Sequence, residues 1–83
     1  VGKNDIFEIV RRNTSEILGT ISAADVQMNV SLKSYGANSI DRMDIVIKSM
    51  EDVGVKIPLV ELGKVSNIQG LVDVLFEAQK SAL

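Results

Sequence analysis

Ser39 is the side chain of this sequence best placed to take part in chemistry. It lies in the stretch YGANSIDRMDIVIKSM, residues 35–50, between a glycine-bearing turn and a run with helical spacing. A serine at that position has two readings. As an N-cap, its hydroxyl would accept a backbone N–H bond from the first turn, a role serine commonly fills. Asp41 would then sit where the helix dipole favours a negative charge. As an attachment point, Ser39 would carry an ester phosphate at the positive end of the helix, where free N–H groups welcome an anion. Gly36 and Ala37 would leave the approach open to a modifying enzyme. Spacing alone leaves both readings open. The chain has no cysteine and no histidine. Their absence removes disulfides, thiolate metal sites, the usual general base and the commonest metal ligand. The chain does not read as an enzyme.

The helix behind Ser39 carries more apolar surface than one core contact requires. At 100° per residue, residues 40–53 show two apolar stripes. Ile40, Met43, Ile47 and Met50 fall within roughly 80° of one another on helical geometry. Ile45, Val46 and Val53, with Ser49, occupy a second sector. One stripe must face the core; the other, if exposed, marks a binding surface. Methionine suits such a surface because its unbranched, polarizable chain adapts to different partners. Asp44 and Glu51 flank the Ile40–Ile47 stripe and Asp41 lies further round, giving an apolar strip with an acidic edge. The plainer alternative is a central helix buried on both sides, with Asp44 and Glu51 an ordinary solvated face.

The other elements follow from periodicity and caps. Asn4 and Asp5 read as N-cap residues, with Asp5 and Glu8 at capping-box spacing. Ile6, Phe7, Val10, Ile17 and Leu18 recur at helical intervals and Gly19 supplies a stop, so a first helix is predicted over Lys3–Leu18. Asn13, Thr14 and Ser15 make a weak centre that burial must hold. Residues 20–36 lose the pattern. Residues 22–26 allow one helical turn, and Asn29 to Leu32 read as extended chain or turn. A connection this long is unusual in a compact domain. It requires Val26, Val30, Leu32 and Tyr35 to tack it onto the helices. The second helix is predicted over residues 39–52, ended by Val53 and Gly54. Pro58 pushes Ile57 toward extended backbone and can open a short helix over Leu59–Leu62, closed by Gly63. Ser66-Asn67-Ile68-Gln69 matches the capping-box pattern. It opens a last helix with Ile68, Leu71, Val72, Leu75 and Gln79 on one face. The expected fold is all-α: three long helices and one short, with a long loop between the first two.

Composition bounds what remains. The 83 residues suit one domain, residues 1–83, with room for a single small core. A chain of this size buries only about 60–65% of its unfolded surface. With 46% apolar residues and no low-complexity run, it should fold rather than stay disordered. The net charge of −2, with no basic cluster longer than Arg11–Arg12, argues against nucleic acid. No apolar run reaches membrane-spanning length, and the N-terminus lacks a basic-then-apolar signal pattern. The expected location is cytoplasmic, and the expected state a monomer.

Gly36-Ala37-Asn38-Ser39-Ile40, followed by Asp41, Met43, Asp44 and Ile45, resembles the signature G-[AG]-[DH]-S-[LI] of acyl carrier proteins in fatty-acid and polyketide synthesis. Gly19, Ile57-Pro58 and Ser66-Asn67-Ile68-Gln69 extend the likeness over nearly the whole chain. The resemblance implies a 4′-phosphopantetheine arm on Ser39, donated by coenzyme A through a phosphopantetheinyl transferase, with acyl groups carried as thioesters. It places Ile40, Met43, Asp44, Ile47 and Glu51 on a partner-recognition helix, with Ile57 at the docking edge. Asn38 stands where the family usually has Asp, and Met50 where an acidic residue is common. Arg42, Lys48 and Lys56 make the docking face less uniformly acidic. These departures point to a specialised carrier. The run GANSIDR before Met-Asp-Ile looks like the free-standing donor carriers of polyketide β-branching cassettes. Those present malonyl and then acetyl groups to a 3-hydroxy-3-methylglutaryl (HMG)-synthase-like enzyme. An acyltransferase and a ketosynthase or decarboxylase are the further partners implied. Ala37-Asn38 disfavours a peptidyl carrier, and the short ends favour a free-standing chain. The alternatives are a carrier of fatty-acid synthesis and an unmodified helical interaction module.

Overall fold

The computed structural model describes residues 2–62, 65 and 67–81. Four α-helices follow one another: α1 (Lys3–Leu18), α2 (Ser39–Val53), α3 (Leu59–Leu62) and α4 (Ile68–Ser81). Two 3-10 turns, Ala23–Asp25 and Leu32–Tyr35, punctuate the connection between α1 and α2. No strand occurs among the described residues. The helix pattern agrees with the sequence reading, with α2 one residue longer.

The helix starts differ from expectation in a consistent way. Gly2 caps α1, and its N–H donates to Asp5 Oδ2 at 3.1 Å. Asp5 is therefore the third residue of the helix, reaching back, and Asn4 lies inside the first turn. Glu8 closes no capping box, because its carboxylate is taken by Arg11 Nη1 at 2.7 Å. The cap of α2 is Asn38, not Ser39. At α4 the cap is Asn67, whose Oδ1 accepts from Gly70 N at 2.8 Å. Ser66 and the Gly63 stop lie outside the described residues. The stops fall as expected: Gly19 and Gly54 end α1 and α2 at φ of 68° and 85°, a left-handed conformation that glycine adopts without a Cβ penalty.

α1 packs against both α2 and α4. Ile6 and Val10 of α1 join Ile68, Leu71, Val72 and Leu75 of α4 in one core, sealed by Val26, Val55, Ile57 and Leu62. The weak centre of α1 is held by burial, as its composition demands. Asn13 and Thr14 are fully buried. Thr14 Oγ1 donates to Val10 O at 2.8 Å, while Asn13 Nδ2 donates to Ser49 Oγ and Asp52 Oδ2 of α2, each at 3.1 Å. The two Asn13 bonds tie α1 to α2, while Asn13 Oδ1 is buried without a hydrogen-bond partner among the described residues. Ile17 and Leu18 are only half-buried; the inward face runs through Asn13 and Thr14 instead.

The long connection is fastened at several points. Arg11 reaches from α1 to the first 3-10 turn, donating from Nε to Ala23 O at 2.9 Å and from Nη2 to Ala24 O at 2.8 Å. Val26 is buried, and Leu32 and Tyr35 pack partly against the core. The Tyr35 hydroxyl accepts from Gln27 N at 2.8 Å. Val30 acts through its backbone as well: Val30 O and Met28 O accept from Ile68 N and Gln69 N of α4, at 3.0 and 2.8 Å. The loop thus satisfies helix-start donors that would otherwise lack partners. The segment expected as extended chain or turn ends in the second 3-10 turn, where Ser31 Oγ accepts from Ser34 N at 3.2 Å.

Candidate functional site

Asn38 and Asp41 organise the start of α2. Asn38 Oδ1 accepts from Asp41 N at 2.8 Å, and Asn38 N donates to Asp41 Oδ2 at 3.3 Å. This reciprocal box does the capping work. Ser39 is consequently the first helical residue, and it is exposed. Among the described residues its hydroxyl makes no hydrogen bond. Asn38 replaces a negative charge with a neutral amide next to that hydroxyl, yet keeps the cap. Gly36, at φ 89°, turns the chain into the helix. Ala37 does not simply leave space: it is buried and anchors the turn, and Ala37 N donates to Leu32 O at 3.2 Å.

A free hydroxyl at the first helical position suits a phosphodiester. The N–H groups of Ser39 and Ile40 have no acceptor among the described residues, and the positive end of α2 favours an anion. A cleft of about 330 Å³ adjoins the serine. Its walls come from Ser39, Arg42, Met43 and Val46 of α2, Leu62 of α3, Leu71 of α4, and the second 3-10 turn. The cleft offers a mixed polar and apolar surface beside the Ser39 hydroxyl.

α2 divides as its two stripes suggest, with one exception. Ile45 and Ser49 are fully buried, and Val46 and Val53 pack partly against the core. Ile40, Met43 and Ile47 are exposed, at 71%, 49% and 36%. Asp44 and Glu51 are exposed beside them. Met50 is the exception: it is half-buried against the core, because it stands at the edge of its stripe, about 40° from the core-packed Val46. Ile57 also departs from expectation. It is 8% exposed and belongs to the core, so it does not join the exposed strip. It joins Val55 in the core cluster, in the non-helical stretch that leads into α3. Val60 of α3, 78% exposed, is the apolar surface residue the sequence reading missed. In a four-residue helix no periodicity is readable, but Val60 lies about 200° from Leu62, and Leu62 is buried. Lys48 is drawn toward α1, with Nζ 3.9 Å from Glu16 Oε2.

Among the described residues, no group of His, Cys, Asp and Glu could hold a metal ion. No described helix is long and apolar enough to cross a membrane.

Comparison with known proteins agrees with this geometry. The family profile described as "Phosphopantetheine attachment site" matches residues 8–75. The chain is 36% identical over 80 residues to the polyketide biosynthesis acyl-carrier-protein AcpK of Bacillus subtilis (strain 168), covering 96% of this chain and 98% of that protein. It is 30% identical over 53 residues to an acyl carrier protein homolog of Ureaplasma parvum serovar 3, covering 64% of this chain and 69% of the relative. Among solved structures, it matches a chain in the crystal structure of the curacin biosynthetic pathway HMG synthase in complex with acetyl donor-ACP. The TM-score is 0.80 at 33% identity, over 92% of this chain and 96% of the other. The family is defined by a covalently attached 4′-phosphopantetheine group, and its members carry substrates rather than transform them. The chain belongs to the phosphopantetheine-bearing acyl carrier protein family.

Proposed function

We propose that this chain is one carrier domain, residues 1–83, of a polyketide β-branching pathway. It carries short acyl groups, malonyl and acetyl, and delivers them to an HMG-synthase-like enzyme. The observation that carries this reading is the likeness, over 92% of the chain, to a structure pairing an HMG synthase with an acetyl-donor carrier. The likeness to a polyketide carrier over 96% of the chain supports the same pathway class. Ser39 is the attachment residue, and the group bound there supplies a thiol that holds acyl groups as thioesters. Ser39 contributes the ester oxygen, while the backbone N–H groups of Ser39 and Ile40 and the dipole of α2 stabilise the ester's negative charge.

Ile40, Met43 and Ile47 form the apolar docking strip, with Asp44 and Glu51 for cationic groups on the partner. An exposed apolar strip on so small a protein suits a partner surface better than water. Ile57 contributes from behind, by holding the chain that leads into α3. The partners are a phosphopantetheinyl transferase, an acyltransferase, a ketosynthase or decarboxylase, and the HMG-synthase-like enzyme. The protein works as a monomer in the cytoplasm.

The test has two stages. The protein is incubated with coenzyme A, Mg²⁺ and a promiscuous phosphopantetheinyl transferase, and its intact mass is recorded. One phosphopantetheine unit is expected on the wild type and none on Ser39→Ala; a gain that persists in the variant refutes the assignment. Acetyl delivery from the modified protein to an HMG-synthase-like enzyme is then compared with delivery from a fatty-acid carrier. Equal rates would remove the case for a specialised role.

A further inference from the structure

The cleft beside Ser39 has an electrostatic character opposite to that of the whole chain. The protein carries 9 basic and 11 acidic residues, yet among the described residues the cleft lining includes Lys33 and Arg42 and no carboxylate. Neither cation is engaged. Lys3, Arg11, Arg12 and Lys48 each have a carboxylate partner, and Lys80 lies over the Phe76 ring. Lys33 and Arg42 have no ion pair or hydrogen bond from their side chains among the described residues. Lys56 is also unengaged, but it does not line the cleft. Among the described residues, the two unpaired cations that border the cavity stand on different elements, Lys33 on the second 3-10 turn and Arg42 on α2, the helix that Ser39 opens.

Charge counting then separates the groups that could occupy this cleft. An arm esterified to Ser39 brings one negative charge, that of its phosphodiester. Lys33 and Arg42 bring two positive charges, so one remains unanswered. A neutral acyl group gives that second cation nothing. An acyl group ending in a carboxylate does, and a guanidinium matches a carboxylate through two parallel N–H···O bonds. The apolar part of the lining, from Met43, Val46 and Leu71, excludes some of the water that would screen the pair.

We propose that Lys33 and Arg42 form an anion-selective lip that holds the terminal carboxylate of a dicarboxylic acyl group carried on Ser39, and so retains charged cargo against the carrier while leaving neutral cargo free. This rests on Ser39 being the attachment point. The consequence is discrimination by charge at the carrier itself. A carboxylate-ended thioester is kept in the cleft, and a neutral thioester of similar size is left to the docking partner.

The experiment compares arms that differ only in their ends. Uniformly ¹⁵N-labelled protein is loaded from coenzyme A, acetyl-, malonyl- or succinyl-coenzyme A with a promiscuous transferase, and intact mass confirms each product. ¹H–¹⁵N spectra then follow the Arg42 Nε–H signal and the amides of Lys33 and Arg42. Malonyl and succinyl arms are expected to shift these signals relative to the acetyl arm, with the shifts fading as salt is raised. Arg42→Gln and Lys33→Gln should each reduce the malonyl-minus-acetyl difference, and the double variant should abolish it. Both side chains border solvent, so circular dichroism of the variants should match the wild type. Identical spectra for acetyl and malonyl arms overturn the proposal, as does a difference that survives in the double variant. If the unacylated arm alone produces the full shift, the cations answer the phosphodiester and the proposal also fails. A failure of Ser39 itself looks different: no mass is gained in any loading reaction, and the proposal falls with its premise.

Discussion

Asn38 and Ser39 divide two tasks that a serine alone would have to combine. A capping serine has its hydroxyl committed to a backbone N–H, and esterifying it would disturb the start of its own helix. Here Asn38 caps α2 through Asp41 N, so the neighbouring hydroxyl can be modified without loosening the helix. Asn38→Ala should therefore cost about 1 kcal/mol, the usual value of a cap. Asn38→Asp, which keeps an acceptor oxygen, should stay near wild type. Ser39→Ala should change stability by less than about 0.5 kcal/mol, although it removes the proposed attachment site. Urea unfolding of the three variants reads all of these. A larger loss in Ser39→Ala than in Asn38→Ala would return the capping role to the serine. The two adjacent residues were hard to separate in the sequence because Asn and Ser are almost equally good caps. The discriminating signal lay three residues on: Asp41 stands at capping-box distance from Asn38, whereas Ser39 meets Arg42 at that spacing. The same offset explains α1, where Asp5 reaches back to Gly2.

The long helices were legible as elements because each has a strong period and a glycine or asparagine at one boundary, Gly19 after α1, Gly54 after α2 and Asn67 before α4. The connection between α1 and α2 was legible only as an exception, since nothing local requires its shape. It is held by tertiary contacts, and Arg11 is the main brace. Its guanidinium stacks 4.6 Å from the Phe7 ring centroid, pairs with Glu8 and donates to two carbonyls of the first 3-10 turn. No spacing rule links Arg11 to Ala23 and Ala24. Arg11→Ala should cost about 1–2 kcal/mol, at the low end for bonds to a charged group because part of the side chain is solvated. The loss should concentrate in the connection. Hydrogen exchange is expected to accelerate at Asp25 and Val26, whose N–H groups close the 3-10 turn onto Ser22 O and Ala23 O. Ile68 and Gln69 should follow, because they donate to loop carbonyls. Acceleration spread evenly over all four helices would show that Arg11 supports global stability rather than the loop.

A protein of this size must assign almost every apolar side chain either to its core or to a partner, and α2 makes that division within two residues. Ile45 is fully buried and Ile47 is exposed, about 200° apart on the helix. The sequence could separate the two stripes but not say which faced inward, since a helix apolar on both sides fits a central position as well. The packing answers it: α1 meets α2 through Asn13, Ser49 and Asp52, on the helical sector that holds Ile45 and not Ile47. The chemically identical substitutions Ile45→Ala and Ile47→Ala should then have opposite consequences. Ile45→Ala leaves a cavity and should cost about 2–5 kcal/mol. Domains have only about 5–15 kcal/mol in total, and one this small sits toward the lower end, so much of its stability would go. Ile47→Ala should move the urea midpoint little, by roughly 0.5 kcal/mol or less, yet slow acyl delivery to the HMG-synthase-like enzyme. Transfer assays run beside denaturation curves on both variants separate the two roles. If Ile47→Ala destabilises as much as Ile45→Ala, the outer stripe is structural. If it transfers at the wild-type rate, docking rests on other residues of the surface, with Ile40 and Val60 the next to replace.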